Sequence, residues 1–93
     1  MTVGILTMEL FFAGSGSLKD KRQLVKPLVE RLRRRFNVAV AEVDGLDTWQ
    51  RSTLAVATVG TRQSRVAETL AGILRFVEAQ DLGQVTASHI DFC

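Results

Sequence analysis

The spacing of apolar residues changes along the 93-residue chain in an order that few folds accommodate. Four stretches have the apolar-rich or alternating pattern of β-strands, namely residues 2–12, 37–44, 49–59 and 85–92. Two stretches between them repeat apolar residues at the spacing of a helix face. The first is residues 18–35, and the second runs from an N-cap at Thr61 to a left-handed end at Gly83. The predicted order is strand, helix, strand, strand, helix, strand.

This order predicts an α+β fold of the ferredoxin-like type, β-α-β-β-α-β. Because crossover connections are right-handed, both helices fall on one face of a four-stranded antiparallel sheet. A length of 93 residues is below the usual size of one domain, so we expect residues 1–93 to form a single ferredoxin-like domain.

Alternation along the strands predicts a core face and an open face that no helix covers. The predicted core residues are Leu6, Met8, Leu10, Leu54, Val56, Ile90 and Phe92. The predicted open-face residues are Glu9, Phe11, Glu42, Trp49, Arg51, Thr53 and His89. A register shift of one residue would exchange the two sets.

The first helix has clear start signals and one unfavourable residue. Ser17 is the predicted N-cap, and Asp20 places an acid in the first turn, where the helix dipole favours it. Pro27 costs about 3 kcal/mol inside a helix. Since Pro27 lies opposite the apolar stripe, we expect a kink between Gln23 and Pro27; the alternative is a helix that begins at Lys26.

Positive charge is concentrated in the first helix. From Leu18 to Phe36 there are eight bases and two acids, a net charge of +6 in a chain whose total is +2. Four of these bases form a row along one flank of the helix, here called the basic row: Lys19, Arg22, Lys26 and Arg33. Such a row can bind a polyanion by replacing its counterions. The alternative is a solvated helix flank.

Other candidate sites are weaker. The loop Gly14-Ser15-Gly16-Ser17 precedes a helix N-terminus, which favours anions, but it lacks the residue pattern of phosphate-binding loops. The alternative is a flexible connection capped by Ser17. His89 could ligate a metal or act as a base with Glu9 and Asp91, although a lone histidine is more often a packing residue. We predict no catalytic residue, no metal site and no small-molecule cofactor.

Two features bear on location. Cys93 is the only cysteine, so no intramolecular disulfide can form, and a reducing, cytoplasmic setting is expected. No stretch reaches the roughly 18 apolar residues that span a bilayer, so we expect no membrane partner.

Two groups of residues resemble a known bacterial family. The segment S-L-K-D-K-R at 17–22 is followed by R-F-N-V at 35–38, A-E-V at 41–43, Asp47 and W-Q-R at 49–51. Together they resemble the YlxP-like family of small proteins over essentially the whole chain. The resemblance implies the ferredoxin-like fold and an unknown function. The family's genes often lie beside those for translation initiation and ribosome-binding factors, which implies an RNA-related or ribosomal role.

The shared residues differ in what they are expected to do. Lys21 falls within the apolar stripe of the helix, so we expect its ammonium to be held near the end of the sheet by a carboxylate or by strand-end carbonyls. Arg22 belongs to the basic row and Arg51 to the open face. These two are the better candidates for contact with a partner.

Two functions therefore compete at this stage. The first is a non-enzymatic accessory protein that binds RNA or the ribosome, with Lys19, Arg22, Lys26, Arg33 and Arg51 as phosphate contacts. The alternative is a protein-interaction module, a homodimer or a partner-binding domain, whose interface includes Phe11 and Trp49. An acylphosphatase is disfavoured because the loop after the first strand and the third strand lack that enzyme's pattern.

Overall fold

The computed structural model describes residues 1–93 and contains the predicted order of elements. The strands are β1 (Thr2–Phe11), β2 (Ala39–Asp44), β3 (Arg51–Gly60) and β4 (Gln84–Phe92), and the helices are α1 (Leu18–Arg35) and α2 (Gln63–Gln80). The strands form one antiparallel sheet in the order β2-β3-β1-β4. The ferredoxin-like α+β prediction is confirmed. Helix α1 runs through Pro27, so the alternative start at Lys26 is wrong.

A single core of 14 buried apolar residues lies between the helices and one face of the sheet. Five predicted core residues are buried there: Leu6, Met8, Leu10, Leu54 and Val56. The two predicted core residues of β4 lie on the core face, where Ile90 pairs with Leu6 and Phe92 with Gly4, but Ile90 is only half-buried against the core and Phe92 is 37% exposed. β4 is an edge strand, so its side chains have neighbours on one side only.

The strand register defines the open face, because directly paired residues share a face of the sheet. β1 pairs Glu9 with Thr53 and Phe11 with Arg51, and these pairs alternate along the strands with the pairs of buried residues. The predicted open-face residues that the register confirms are Glu9, Phe11, Arg51, Thr53 and His89.

Two residues predicted for the open face lie elsewhere. Glu42 pairs with the buried Leu54 and therefore faces the helices, and the register shifts between Glu42 and Asp44. Such an irregularity breaks the alternation on which the prediction relied. Trp49 is outside the sheet, because β3 begins only at Arg51.

Both predicted ends of α2 are also corrected. Arg62, rather than Thr61, is the N-cap and makes no side-chain cap bond. The helix ends at Asp81, which has a left-handed φ of 55°, rather than at Gly83. Gly83 has a different reason to be small, because a Cβ there would lie 2.5 Å from the ring of Phe12.

Candidate nucleic-acid interface

Three residues of the basic row lie together on the outer surface of α1. Lys19, Arg22 and Lys26 are exposed and line one groove of about 540 Å³, together with Gln23, Pro27 and Glu30. The helical spacing of these positions places them on one flank of α1, outside its buried stripe. The groove has no large apolar side chain, so any ligand there would be held by charge and hydrogen bonds.

The exposed bases of α1 are not neutralised by the protein itself. The structure has two ion pairs, between Lys21 and Glu42 and between His89 and Asp91. Lys21 is therefore the one base of α1 with a carboxylate partner, and it is fully buried. The exposed, unpaired bases of α1 are Lys19, Arg22, Lys26, Arg31, Arg33, Arg34 and Arg35. Their charges are available to an external anion.

Arg33 shows on which side of α1 the basic row lies. Its Nη2 donates a hydrogen bond of 2.9 Å to the Val40 carbonyl of β2, an edge strand. On the other flank, Arg31 donates to Gln80 of α2, and the guanidinium of Arg35 lies 5.3 Å from the centre of the Phe76 ring. The basic row thus runs beside β2. Arg33 is already bonded to backbone, so it offers fewer free donors than the other three members.

The buried ammonium of Lys21 fixes the end of α1 to the β2–β3 loop. Its Nζ lies 3.1 Å from Oε2 of Glu42 and donates to the carbonyls of Gly45, Leu46 (3.3 Å) and Arg51 (3.2 Å). Ser52 donates a further hydrogen bond to the same Glu42 oxygen. The expectation that a carboxylate or strand-end carbonyls hold Lys21 is confirmed, and both kinds of acceptor are present.

The loop before α1 binds its own side chains where an anion was considered. Asp20 accepts a hydrogen bond of 3.1 Å from the Gly16 N–H and donates its own N–H to Oγ of Ser17. Ser17 is thus the N-cap, as predicted. Since the Asp20 carboxylate is already at this position, the structure favours the capped connection over an anion site. Gln50 also holds the loop by donating to the Ser15 carbonyl at 3.1 Å.

Arg51 is not part of the basic row. It is exposed on the open face opposite Phe11, where both line a groove of about 350 Å³ with Glu9. The helices cover the other face of the sheet, so the structure does not bring Arg51 together with Lys19, Arg22 and Lys26. Phe11 is half-buried in this groove, and Arg51 and Glu9 form no ion pair.

Trp49 lies in the β2–β3 loop, and two further apolar residues, Leu46 of this loop and Val43 near the end of β2, have an exposure that was not predicted. Trp49 is 57% exposed, and Val43 and Leu46 are 53% and 52% exposed. The signal for this exposure was the presence of apolar residues in a segment rich in turn-forming residues. The predicted strand ends and loop did not indicate it. Phe11 and Trp49, predicted for one interface, thus lie on different elements: Phe11 in the sheet and Trp49 in the loop.

The remaining chemistry-bearing residues form no larger cluster. Nε2 of His89 lies 3.2 Å from Oδ2 of Asp91, and both side chains are exposed. No group of three or more His, Cys, Asp or Glu side chains converges on a point. Neither helix has the length and apolar character needed to cross a membrane.

Comparisons with known proteins give a family but no activity. Residues 3–90 match the model of a family described as "Protein of unknown function (DUF503)". The chain is also similar to "Uncharacterized protein YlxP" of Bacillus subtilis (strain 168), with 31% identity over 77 residues, which is 83% of this chain and 84% of that protein. Neither description names a ligand or a reaction.

Proposed function

The chain belongs to the DUF503 family of proteins of unknown function, and we propose that it is a non-enzymatic accessory protein that binds structured RNA, free or on the ribosome, through the basic row of α1. The observation that carries the proposal is the set of exposed bases on this helix, none of which has a carboxylate partner. A surface that leaves its own cations unpaired is suited to an external polyanion.

The size of α1 suits several phosphate contacts at once. Its 18 residues extend over about 27 Å at 1.5 Å per residue. Each phosphate that a lysine or arginine neutralises releases condensed counterions, and this release makes the affinity depend on salt. Four contacts would give a logarithmic slope of about −3.6 and an affinity loss of about 100-fold between about 50 and 200 mM salt.

RNA is the polyanion we propose because the resemblance to the YlxP-like family implies a translation-related setting. Recognition would use backbone phosphates rather than bases read on the sheet. Sheet-based reading in RNA-recognition domains uses aromatic side chains on the central strands, and here Phe11 is the only aromatic residue that the register places there.

The test compares two charge-reversed proteins of equal net charge. The first carries Arg22→Glu and Lys26→Glu in the basic row. The control carries Arg65→Glu and Arg75→Glu on the exposed surface of α2. Both double variants change the formal net charge from +2 to −2. Binding to a labelled fragment of structured ribosomal RNA would be followed by fluorescence anisotropy at several salt concentrations.

We expect the α1 variant to lose binding and to lower the salt slope by about 2. The α2 control should keep the slope of the unchanged protein, because its reversed charges lie away from the contacts. An equal loss of RNA affinity in both variants would mean that net charge, and not the basic row, sets the affinity. An affinity that does not depend on salt would contradict the electrostatic basis of the proposal.

A second candidate function is a protein-interaction module that uses the open face. The register places Ala39 opposite Ala57 and Ala41 opposite Ala55 on this face, a group of small apolar side chains beside Ile5 of β1. A second copy of the chain is the simplest partner for such a surface. Sedimentation at high micromolar concentration tests this, and a clean monomer would count against the homodimer.

A further inference from the structure

The β2–β3 loop is held in one conformation by contacts at both ends. The loop carbonyls of Gly45 and Leu46, and that of Arg51 at the start of β3, accept hydrogen bonds from the buried ammonium of Lys21. Within the loop, the Thr48 N–H donates to the Gly45 carbonyl at 3.1 Å. Gly45 has a φ of 73°, the left-handed conformation that glycine adopts without strain.

Trp49 lies between two of these fixed points. Thr48 precedes it, and the carbonyl of Gln50 after it accepts a hydrogen bond of 2.8 Å from the Phe12 N–H. The backbone is therefore anchored on both sides of a side chain that is 57% exposed. A large aromatic ring on a fixed backbone loses little conformational entropy on binding, which is how rigid aromatic anchors contribute affinity.

The loop also adjoins the start of the basic row. Lys21 contacts Gly45 and Leu46 and is the chain neighbour of Arg22, so the hairpin tip lies against the first turns of α1. Farther along, Arg33 reaches Val40. The 12 helix positions from Lys21 to Arg33 span about 18 Å, and the five positions from Val40 to Gly45 span about 17 Å. Because these two lengths match, the basic row follows β2 up to the loop that carries Trp49.

We propose that Trp49 stacks on an unpaired base of an RNA whose backbone lies along the basic row. This inference rests on the proposed function and adds the kind of RNA that is preferred, one with an unpaired nucleotide beside the contacted phosphates. A base is favoured over a protein side chain because the loop that carries Trp49 is bonded to the first turns of α1, where the basic row begins with bases that have no carboxylate partner. Stacking between aromatic side chains and bases is independent of sequence and strengthens binding beyond phosphate contact.

The chain provides its own probe, since Trp49 is its only tryptophan and it contains no tyrosine. The unchanged protein would be titrated with oligouridine of about 12 nucleotides, a length within the usual range for single-strand sites. A parallel titration would use a blunt-ended RNA duplex of the same total nucleotide number. Anisotropy of labelled RNA reports binding, and Trp49 fluorescence reports stacking.

We expect both RNAs to bind at low salt, with saturable quenching of Trp49 by the single strand only. Trp49→Ala should weaken single-strand binding by about 5- to 150-fold and leave duplex binding unchanged. Trp49→Phe, which keeps a ring, should restore most of the loss. Val59→Ala is the matched control, because Val59 is 62% exposed at the opposite end of β3, and it should change neither affinity. Circular dichroism would verify folding of each variant.

The failures are distinguishable. One failure is that both RNAs bind, the fluorescence of Trp49 does not change and Trp49→Ala binds with the native affinity. This result would overturn the stacking inference but not RNA binding by the basic row, and it would favour a protein as the ligand of the hairpin tip. If neither RNA binds at low salt, both the inference and the proposed function are overturned.

Discussion

Replacing Lys21 with methionine tests whether its ammonium holds the molecule together. Methionine keeps most of the side-chain volume but removes the charge and all three donors. In the native chain this ammonium is fully buried and bonded to Glu42 and to the carbonyls of Gly45, Leu46 and Arg51. The substitution leaves the Glu42 carboxylate without its cation and three carbonyls without their donor.

The expected loss in the free energy of unfolding follows from these contacts of Lys21. Removing one partner of a buried ion pair costs about 3–5 kcal/mol, because the other charge stays buried and unpaired. Glu42 is 20% exposed and keeps the hydrogen bond from Ser52, so water and this hydroxyl offset part of the loss. We therefore expect about 3 kcal/mol. At about 0.05–0.15 kcal/mol per residue, the whole chain has only about 5–14 kcal/mol to lose.

Urea unfolding followed by far-ultraviolet circular dichroism measures the effect. With a slope near 1 kcal/mol per molar urea, the midpoint should fall by about 3 M. Lys26→Met is the matched control, since Lys26 is exposed on the same helix and has no ion pair, and it should change stability by at most about 0.5 kcal/mol.

A double-mutant cycle with Glu42→Gln separates the ion pair from side-chain packing. Glu42→Gln should destabilise less in the Lys21→Met background than in the native chain, with a coupling of at least about 1 kcal/mol. A Lys21→Met loss below about 1 kcal/mol, or additive effects in the cycle, would refute the view that this buried pair stabilises the fold.

Two backbone positions give further predictions. Gly83→Ala should lower the free energy of unfolding by about 1–3 kcal/mol, because the new Cβ would lie 2.5 Å from the Phe12 ring; a thermal midpoint equal to that of the native chain would contradict this. Asp81→Gly should raise stability by up to about 1 kcal/mol in the same assay, because Asp81 has a left-handed φ of 55° that glycine adopts more easily; a lower midpoint would contradict it.

The sequence was a good guide to the basic row but not to its surroundings. The residues that helical spacing grouped on one flank, Lys19, Arg22 and Lys26, line a common groove. Nothing local to Arg33 indicated that it would bond to the Val40 carbonyl. Arg51 was predicted for the open face, and the register confirms this position, so its charge lies on the face of the sheet that the helices leave uncovered. The face of a strand residue follows from local alternation, whereas the hydrogen-bond partner of Arg33 depends on how the chain folds.

The sequence by itself determined the order of elements, the bounds of α1, the cap at Ser17 and the place of Lys21 in the apolar stripe of α1. Each of these follows from the spacing of neighbouring residues along one helix or strand, since apolar periodicity and capping act over a few positions. The acceptors of Lys21 were predicted by type, and their identities came only from the fold.

Only the tertiary structure decided the direction of Glu42, the start of β3 and the rigid exposure of Trp49. These depend on the irregularity in β2 and on hydrogen bonds from Lys21 and Gln50 to residues distant in sequence. A residue's local pattern is the same whether or not a distant donor reaches its carbonyl. The features on which the proposed stacking of Trp49 depends were therefore set by the folding of the whole chain.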